Sequence, residues 1–157
     1  MLSIIGSMNS PKPIRACQFC FKVLGTHQYK YCSNKCQAEL RYKQYINLWL
    51  SGEVSGLQRL GVVSRHIKRY LREKYGNECC LCGWSKVNIY TGVVPLVADH
   101  EDGNWRNNIE SNLRLVCPNC DALSATYAGL NRGNGRKERQ LSKRVQEGRL
   151  LSTGTPP

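Results

Sequence analysis

Two kinds of side chain that could hold a divalent metal occur interleaved in this sequence. Cys79 and Cys82 form one Cys-x-x-Cys pair, Cys117 and Cys120 form another, and 34 residues lie between the pairs. Between them an Asp99-His100 step ends an apolar run, and Asp121 stands directly behind the last cysteine. A two-residue gap lets one turn present both sulfurs to one ion, and four thiolates suit tetrahedral zinc. Cys80 does not share that gap with Cys82 and reads as a spare thiol. Carboxylates suit a harder cation such as Mg²⁺ or Mn²⁺. The expected division of labour is a structural zinc clip of Cys79, Cys82, Cys117 and Cys120. That clip holds two strands and a helix so that Asp99, His100 and Asp121 converge on a second, catalytic metal. Taken singly, each of the three has a plainer reading. A lone histidine is more often a satisfied structural one, and an acid in a first helical turn is common.

The elements that would position these groups can be read around them. Val93, Val94, Leu96, Val97 and Ala98 make a β-prone run broken by Pro95, which points to an edge strand. Adjacent strand residues face opposite sides, so a twist at the strand end is needed for Asp99 to reach a metal while His100 faces a phosphate. Residues 101–104 are turn chemistry, Asn107, Asn108 and Asn112 follow, and residues 113–116 read as the returning strand. Pro118 suits the first position of a helix. Asp121 then lies in that helix's first turn, where the partial positive charge is expected to keep it ionised.

Upstream, Cys17-x-x-Cys20 and Cys32-x-x-x-Cys36 flank an eleven-residue insert. Cys17, Cys20, Cys32 and Cys36 are expected to bind a second structural zinc, with Phe19, Tyr29 and Tyr31 as apolar filler, a hairpin in the insert and His27 on the surface. Asn34 is placed to cap a helix from Lys35 onward, with Leu40, Tyr42, Ile46 and Trp49 on or near one face. Residues 51–61 are rich in Gly and Ser and read as a linker. Residues 62–76 show helical spacing at Val63, Ile67, Tyr70, Leu71 and Lys74, with Ser64 as N-cap and Gly76 as the stop. Arg65, Lys68, Arg69 and Arg72 lie largely off that stripe, as a solvated basic face or a phosphate-contacting one. Residues 1–13 read as a disordered arm, and residues 131–157, with Arg132, Arg136 and Lys137, as a basic arm that orders on a groove.

The chain has 157 residues, about one domain. Mean hydropathy is −0.46 and aromatic content 8%, so a rich core is not available and nine cysteines suggest metal staples. The N-terminus has no basic segment before a signal-length apolar stretch, and no window approaches roughly 18 apolar residues. An intracellular, cytoplasmic chain with reduced cysteines and no membrane partner is therefore expected, with Met8 as good a start as Met1. Net charge is +12. Residues 76–130 hold three Lys/Arg against six acids, whereas 1–50 hold seven against one, 51–75 six against two and 131–157 seven against two. Basic flanks around an acidic centre suit a protein that tracks phosphates with its arms and holds a cation in the middle.

The central stretch resembles the HNH endonucleases, the ββα-metal nucleases, and looks most like the phage-encoded, free-standing homing type with a zinc-clipped core. The matching residues are Cys79-x-x-Cys82-Gly83-Trp84, Asp99-His100-Glu101-Asp102-Gly103-Asn104, Asn107-Asn108, Glu110-Ser111-Asn112-Leu113 and Cys117-Pro118-Asn119-Cys120. The resemblance implies a small, zinc-stabilised α+β fold with a treble-clef-like ββα-metal core. In domain terms, an N-terminal zinc module with its helix (14–50) and a linker (51–61) would precede the basic helix and nuclease core (62–130). It further implies that His100 is the general base, Asp99 a metal ligand and Asn112 the brace of the loop carrying the base. Asp121 stands where the family often has its last histidine, a departure that suits Mg²⁺ or Mn²⁺ rather than softer metals. His100 must be neutral to take a proton from water. The implied activity is metal-dependent hydrolysis of double-stranded DNA to 5′-phosphate and 3′-hydroxyl ends, by a monomer that nicks or a homodimer that cuts. The competing expectation is a non-catalytic zinc-dependent DNA-binding protein with a degenerate site. An RNA target ranks below both, because the sequence shows no obvious stacking surface for single strands.

Overall fold

Residues 14–58, 61–133, 140–141 and 144–145 are described by the structure, a computed structural model. The chain divides into two units, Met1–Gln44 and Tyr45–Pro157. The arm expected at 1–13 and most of the one expected at 131–157 lie outside the described residues.

In the first unit the backbone folds tightly around Cys17. The Cys17 amide donates to the carbonyl of Lys22 at 2.8 Å, the Phe21 amide donates to the carbonyl of Cys17 at 2.9 Å, and Ala16 bridges Val23 antiparallel. The hairpin is thus the knuckle itself, spanning the first cysteine pair, and not the insert between the pairs. Tyr29 is not filler: it is 76% exposed, and Leu24 is buried instead. Phe19 is half-buried with Lys43 over its ring. Phe21 has a φ of 60°, a left-handed conformation that costs a side-chain-bearing residue about 1–2 kcal/mol.

Helix α1 spans Asn34–Leu50. Its cap comes one residue earlier than expected, since Ser33 Oγ accepts from the Cys36 amide at 3.2 Å. Tyr42, Ile46 and Trp49 are buried as their spacing predicts.

In the second unit residues 51–61 are not a plain linker. Strand β1 (Leu57–Gln58) pairs antiparallel with β2 (Val62–Val63). Gly56, at φ +75°, makes this possible: a Cβ there would sit 2.5 Å from Ile67 Cδ1 and 3.1 Å from the Trp49 indole. Helix α2 covers Arg65–Lys74, with the Ser64 hydroxyl accepting from the Ile67 amide at 3.3 Å and Gly76 at φ +62° past its end. Both signals were legible in the sequence. Ile67 and Leu71 are fully buried, each contributing about 1.5–3 kcal/mol.

Strand β3 (Val97–His100) pairs antiparallel with β4 (Leu113–Val116), with Asp99 opposite Arg114 and His100 opposite Leu113. The apolar residues before Pro95 are not in the strand, although Val94 is buried. Helix α3 spans Pro118–Ala122. Helix α2 packs on β4 and α3 on β3, which puts Leu113, Leu115 and Val116 in the core.

Candidate functional site

The eight expected zinc ligands gather as two quartets. Cys17, Cys20, Cys32 and Cys36 form one and Cys79, Cys82, Cys117 and Cys120 the other, with all sulfurs of a quartet within 4.8 Å of one another. A zinc–sulfur bond of about 2.3 Å separates tetrahedral sulfurs by about 3.8 Å. The Cys82–Cys117 distance is 3.8 Å, Cys20–Cys32 3.5 Å and Cys32–Cys36 3.4 Å, so both quartets fit structural zinc. Cys80 belongs to neither; its amide donates to the Leu115 carbonyl, and burial raises its thiol pKa. The Cys20 amide, ahead of other donors, brings Cys17 down to about 6. Burial pushes Cys79 up, but amides of Cys117, Cys82 and Leu81 bring it to about 6. The neighbouring thiols, Cys36 and Cys117 first, push Cys32 and Cys120 up to about 12. Around the second quartet, Cys79, Val116 and Cys117 form a buried cluster with Trp84 and Leu96 against it. The clip therefore ties β4 and α3 to the knuckle.

Asp99 leaves β3 toward Arg114. Arg114 Nε and Nη2 both donate to Asp99 Oδ2 at 2.8 Å, with side-chain exposures of 19% and 14%. Asp121 approaches the same pair from α3. Its pKa is raised, first by burial and then by the Asp99 charge, with Arg114 acting the other way. This reverses the expected effect of the helix terminus: a five-residue helix has little dipole to offer, and loss of water together with a like charge outweighs it.

His100 is held by a different partner from any foreseen. Its Nε2 lies 2.9 Å from Asn108 Oδ1. Asn108 is buried, and its Nδ2 donates to the carbonyls of Trp105 and Arg106 at 3.2 and 3.1 Å. With both amide hydrogens committed, Oδ1 is the acceptor, so His100 Nε2 carries a hydrogen and Nδ1 carries the lone pair in the neutral ring. Trp49 Nε1 donates to the Asn108 carbonyl at 2.6 Å, which fixes the backbone as well. His100 also lines a cavity of about 410 Å³ together with Lys68, Arg72, Ala98, Leu96 and Leu115. Among the described residues, Asp99, His100 and Asp121 do not form a third cluster of ligand atoms within 4.8 Å. Asp121 feels the charge of Asp99, and His100 keeps to Asn108 and the cavity.

Asn112 is buried and stitches the 101–107 loop to β4. Its Nδ2 donates to Asp102 Oδ1 at 2.8 Å and to the Asn107 carbonyl at 2.7 Å, and its Oδ1 accepts from the Asp102 amide at 3.1 Å. Glu110 fastens the same region to α2, accepting from the Tyr70 hydroxyl and from Lys74 Nζ at 2.9 Å. Asn108, Arg114, Trp49 and Glu110 were not foreseen in these roles. Asn108 and Glu110 lie inside the motif, but an Asn-rich run does not say which amide meets the histidine.

Of the basic residues, Arg65, Lys68 and Arg69 are exposed and Arg72 half-buried. Arg69 pairs with Glu73 at 2.7 Å, and Arg72 donates to Asn77 and to the Val94 carbonyl. Arg132 is exposed, whereas Arg136 and Lys137 lie outside the described residues. No described helix is long and apolar enough to cross a membrane.

No family model and no solved structure matches the chain. Over 40 residues, 26% of its length, the chain is 55% identical to the H-N-H endonuclease F-TflIV of Escherichia phage T5, and the match spans 18% of that enzyme. What the comparison gives is a local likeness between this chain and part of a phage H-N-H endonuclease.

Proposed function

We propose that the chain is a metal-dependent DNA endonuclease of the HNH type, hydrolysing phosphodiester bonds of double-stranded DNA to 5′-phosphate and 3′-hydroxyl ends. One observation carries this reading. Successive residues of β3 serve two environments, with Asp99 paired to Arg114 and its charge felt by Asp121, and His100 held by buried Asn108 at a cavity lined by Lys68 and Arg72. The local identity to a phage H-N-H endonuclease points the same way.

Two carboxylates whose charges oppose each other form a donor set suited to a hard cation. Arg114 contacts Asp99 through Oδ2, which leaves Oδ1 to such an ion. Asp99 and Asp121 are thus the residues that would hold Mg²⁺ or Mn²⁺. When bound, that ion supplies charge stabilisation at the scissile phosphate and the departing 3′ oxygen. His100 takes the proton of the attacking water at Nδ1, and its Nε2–H, donated to Asn108, keeps the ring oriented as positive charge develops. Lys68 and Arg72 hold phosphate beside the imidazole. Arg65, Arg69, Arg132, Arg136 and Lys137 contact the DNA backbone away from the reacting bond. The zinc ions are structural and take no part in the chemistry. The described residues hold one such site, so a monomer nicks, and cutting both strands takes a dimer or two events.

The test is His100→Ala with supercoiled plasmid in Mg²⁺ or Mn²⁺. Cleavage should be lost while duplex binding and zinc content stay as in wild type. A second reading, a zinc-dependent DNA-binding protein with a degenerate site, is favoured by the Arg114 cation already seated on Asp99. It stands if wild type binds DNA and cuts with neither metal.

A further inference from the structure

The first unit leaves two aromatic residues, Phe21 and Tyr29, largely exposed. Cys17-x-x-Cys20-Phe21 and Cys79-x-x-Cys82-Gly83 are knuckles of one build. In each, the residue after the second cysteine has a left-handed φ, 60° at Phe21 and 70° at Gly83. Its amide donates to the carbonyl of the first cysteine, at 2.9 Å from Phe21 and 2.8 Å from Gly83. Glycine takes this conformation without a steric penalty, and phenylalanine does not. Packing gives little back, because Phe21 is 78% exposed. A strained residue whose ring is left in water points to a contact outside the chain.

The surroundings say what kind of contact. Tyr29 is 76% exposed, with the Arg15 guanidinium 5.0 Å from its ring centroid. Residues 14–38 contain Arg15, Lys22, Lys30 and Lys35 and no Asp or Glu. Exposed rings among these cations suit a polyanion with unpaired bases: the rings accept stacked bases and the cations follow the phosphates. In a duplex the bases are already stacked on one another, and rings at the surface of this unit would find only backbone.

We propose that the N-terminal cysteine unit binds single-stranded nucleic acid by stacking unpaired bases on Phe21 and Tyr29. This goes beyond the endonuclease reading and does not rest on it. The experiment uses the full-length, zinc-loaded chain and fluorescence anisotropy with labelled oligothymidylate, oligouridylate and a mixed-sequence duplex. The two single strands separate a DNA target from an RNA one. Phe21→Gly should bind single strands at least about 5-fold more weakly, the lower end of what one lost base–aromatic stack costs. Because glycine suits φ 60°, its melting temperature should match or exceed that of wild type, so weaker binding cannot be ascribed to misfolding. Tyr29→Leu should also weaken single-strand binding, Phe21→Tyr should retain it, and duplex affinity should stay unchanged in all three. The proposal is overturned if Phe21→Gly and Tyr29→Leu bind both single strands like wild type, or if duplex affinity falls by the same factor. It is also overturned if wild type binds neither strand, which would leave the aromatic surface to a protein.

Discussion

His100 donates from Nε2 to Asn108 Oδ1 at 2.9 Å, and the other end of that amide is locked by two carbonyl acceptors. The role proposed for His100, a base that presents Nδ1, needs this arrangement, since a free imidazole divides itself between tautomers. Asn108→Ala should therefore lower kcat about 10- to 100-fold, the scale of a mispositioned catalytic group, with KM for duplex DNA unchanged. It should also destabilise the fold by about 1–3 kcal/mol, because the part-buried hydrogen bonds to the Trp105 and Arg106 carbonyls are lost. Nitrogen-15 NMR of the His100 ring separates orientation from general loosening. The wild-type ring should show hydrogen on Nε2, and the variant a mixture. A variant that keeps the wild-type tautomer while losing activity would assign Asn108 a purely structural role.

Asp121 offers a pH test with a definite sign. Its folded pKa is raised, by burial first and by Asp99 second. The neutral form is thus favoured on folding, and the stability it confers is present at low pH and lost as pH rises through that folded pKa. Asp121→Asn removes the repulsion, so without added Mg²⁺ it should melt higher than wild type at neutral pH, with the advantage fading in acid. The same variant should cut no DNA at any Mg²⁺ concentration. Equal melting temperatures at neutral pH would mean that Asp99 and Asp121 do not oppose each other.

Local signals were the legible ones. Ser64 and Gly76 bound a helix because cap and stop act within a few residues, and residues 113–116 announce a strand by apolar pattern alone. The quartets followed from cysteine spacing. What escaped depends on distant neighbours. The β1–β2 pair exists because Gly56 lets Ile67 and Trp49 approach, which a Gly- and Ser-rich run cannot disclose. Which of Asn107, Asn108 and Asn112 meets His100 is decided by the loop path, which Trp49 fixes from 59 residues away. The raised pKa of Asp121 is a matter of burial and of Asp99, and first-turn position alone gave the opposite sign.

Zinc removal should act on structure before chemistry. Val116, Cys79 and Cys117 share one buried cluster, so stripping the ion from that quartet frees the knuckle from β4 and α3. Cys120→Ala should lose one zinc equivalent, lower the melting temperature and abolish cleavage together. Cys80→Ala lies outside the quartet and should keep the full zinc content and activity. Zinc loss in the Cys80 variant would mean that the quartet had been assigned to the wrong sulfur.

Asn112 allows a comparison between two substitutions at one atom pair. Its Nδ2 donates to Asp102 Oδ1 and to the Asn107 carbonyl. Burial raises the Asp102 pKa, but donors from Asn107, the Asn104 amide and Asn112 outweigh it, and the net shift is downward. A depressed carboxyl contributes stability above its unfolded pKa and loses it as pH falls through the folded one. Asn112→Ala removes one of those donors and should cost about 1–3 kcal/mol at neutral pH. Asn112→Asp should cost more, despite its closer shape, because the introduced carboxylate faces the Asp102 carboxylate and a carbonyl with nothing to donate. On acidification the order should reverse, since the introduced carboxyl regains a proton to donate. Melting curves of the two variants across acid and neutral pH check this. If Asn112→Asp is the more stable at neutral pH, the donor role of Asn112 toward Asp102 is wrong, and with it the account of how the loop beside His100 is held.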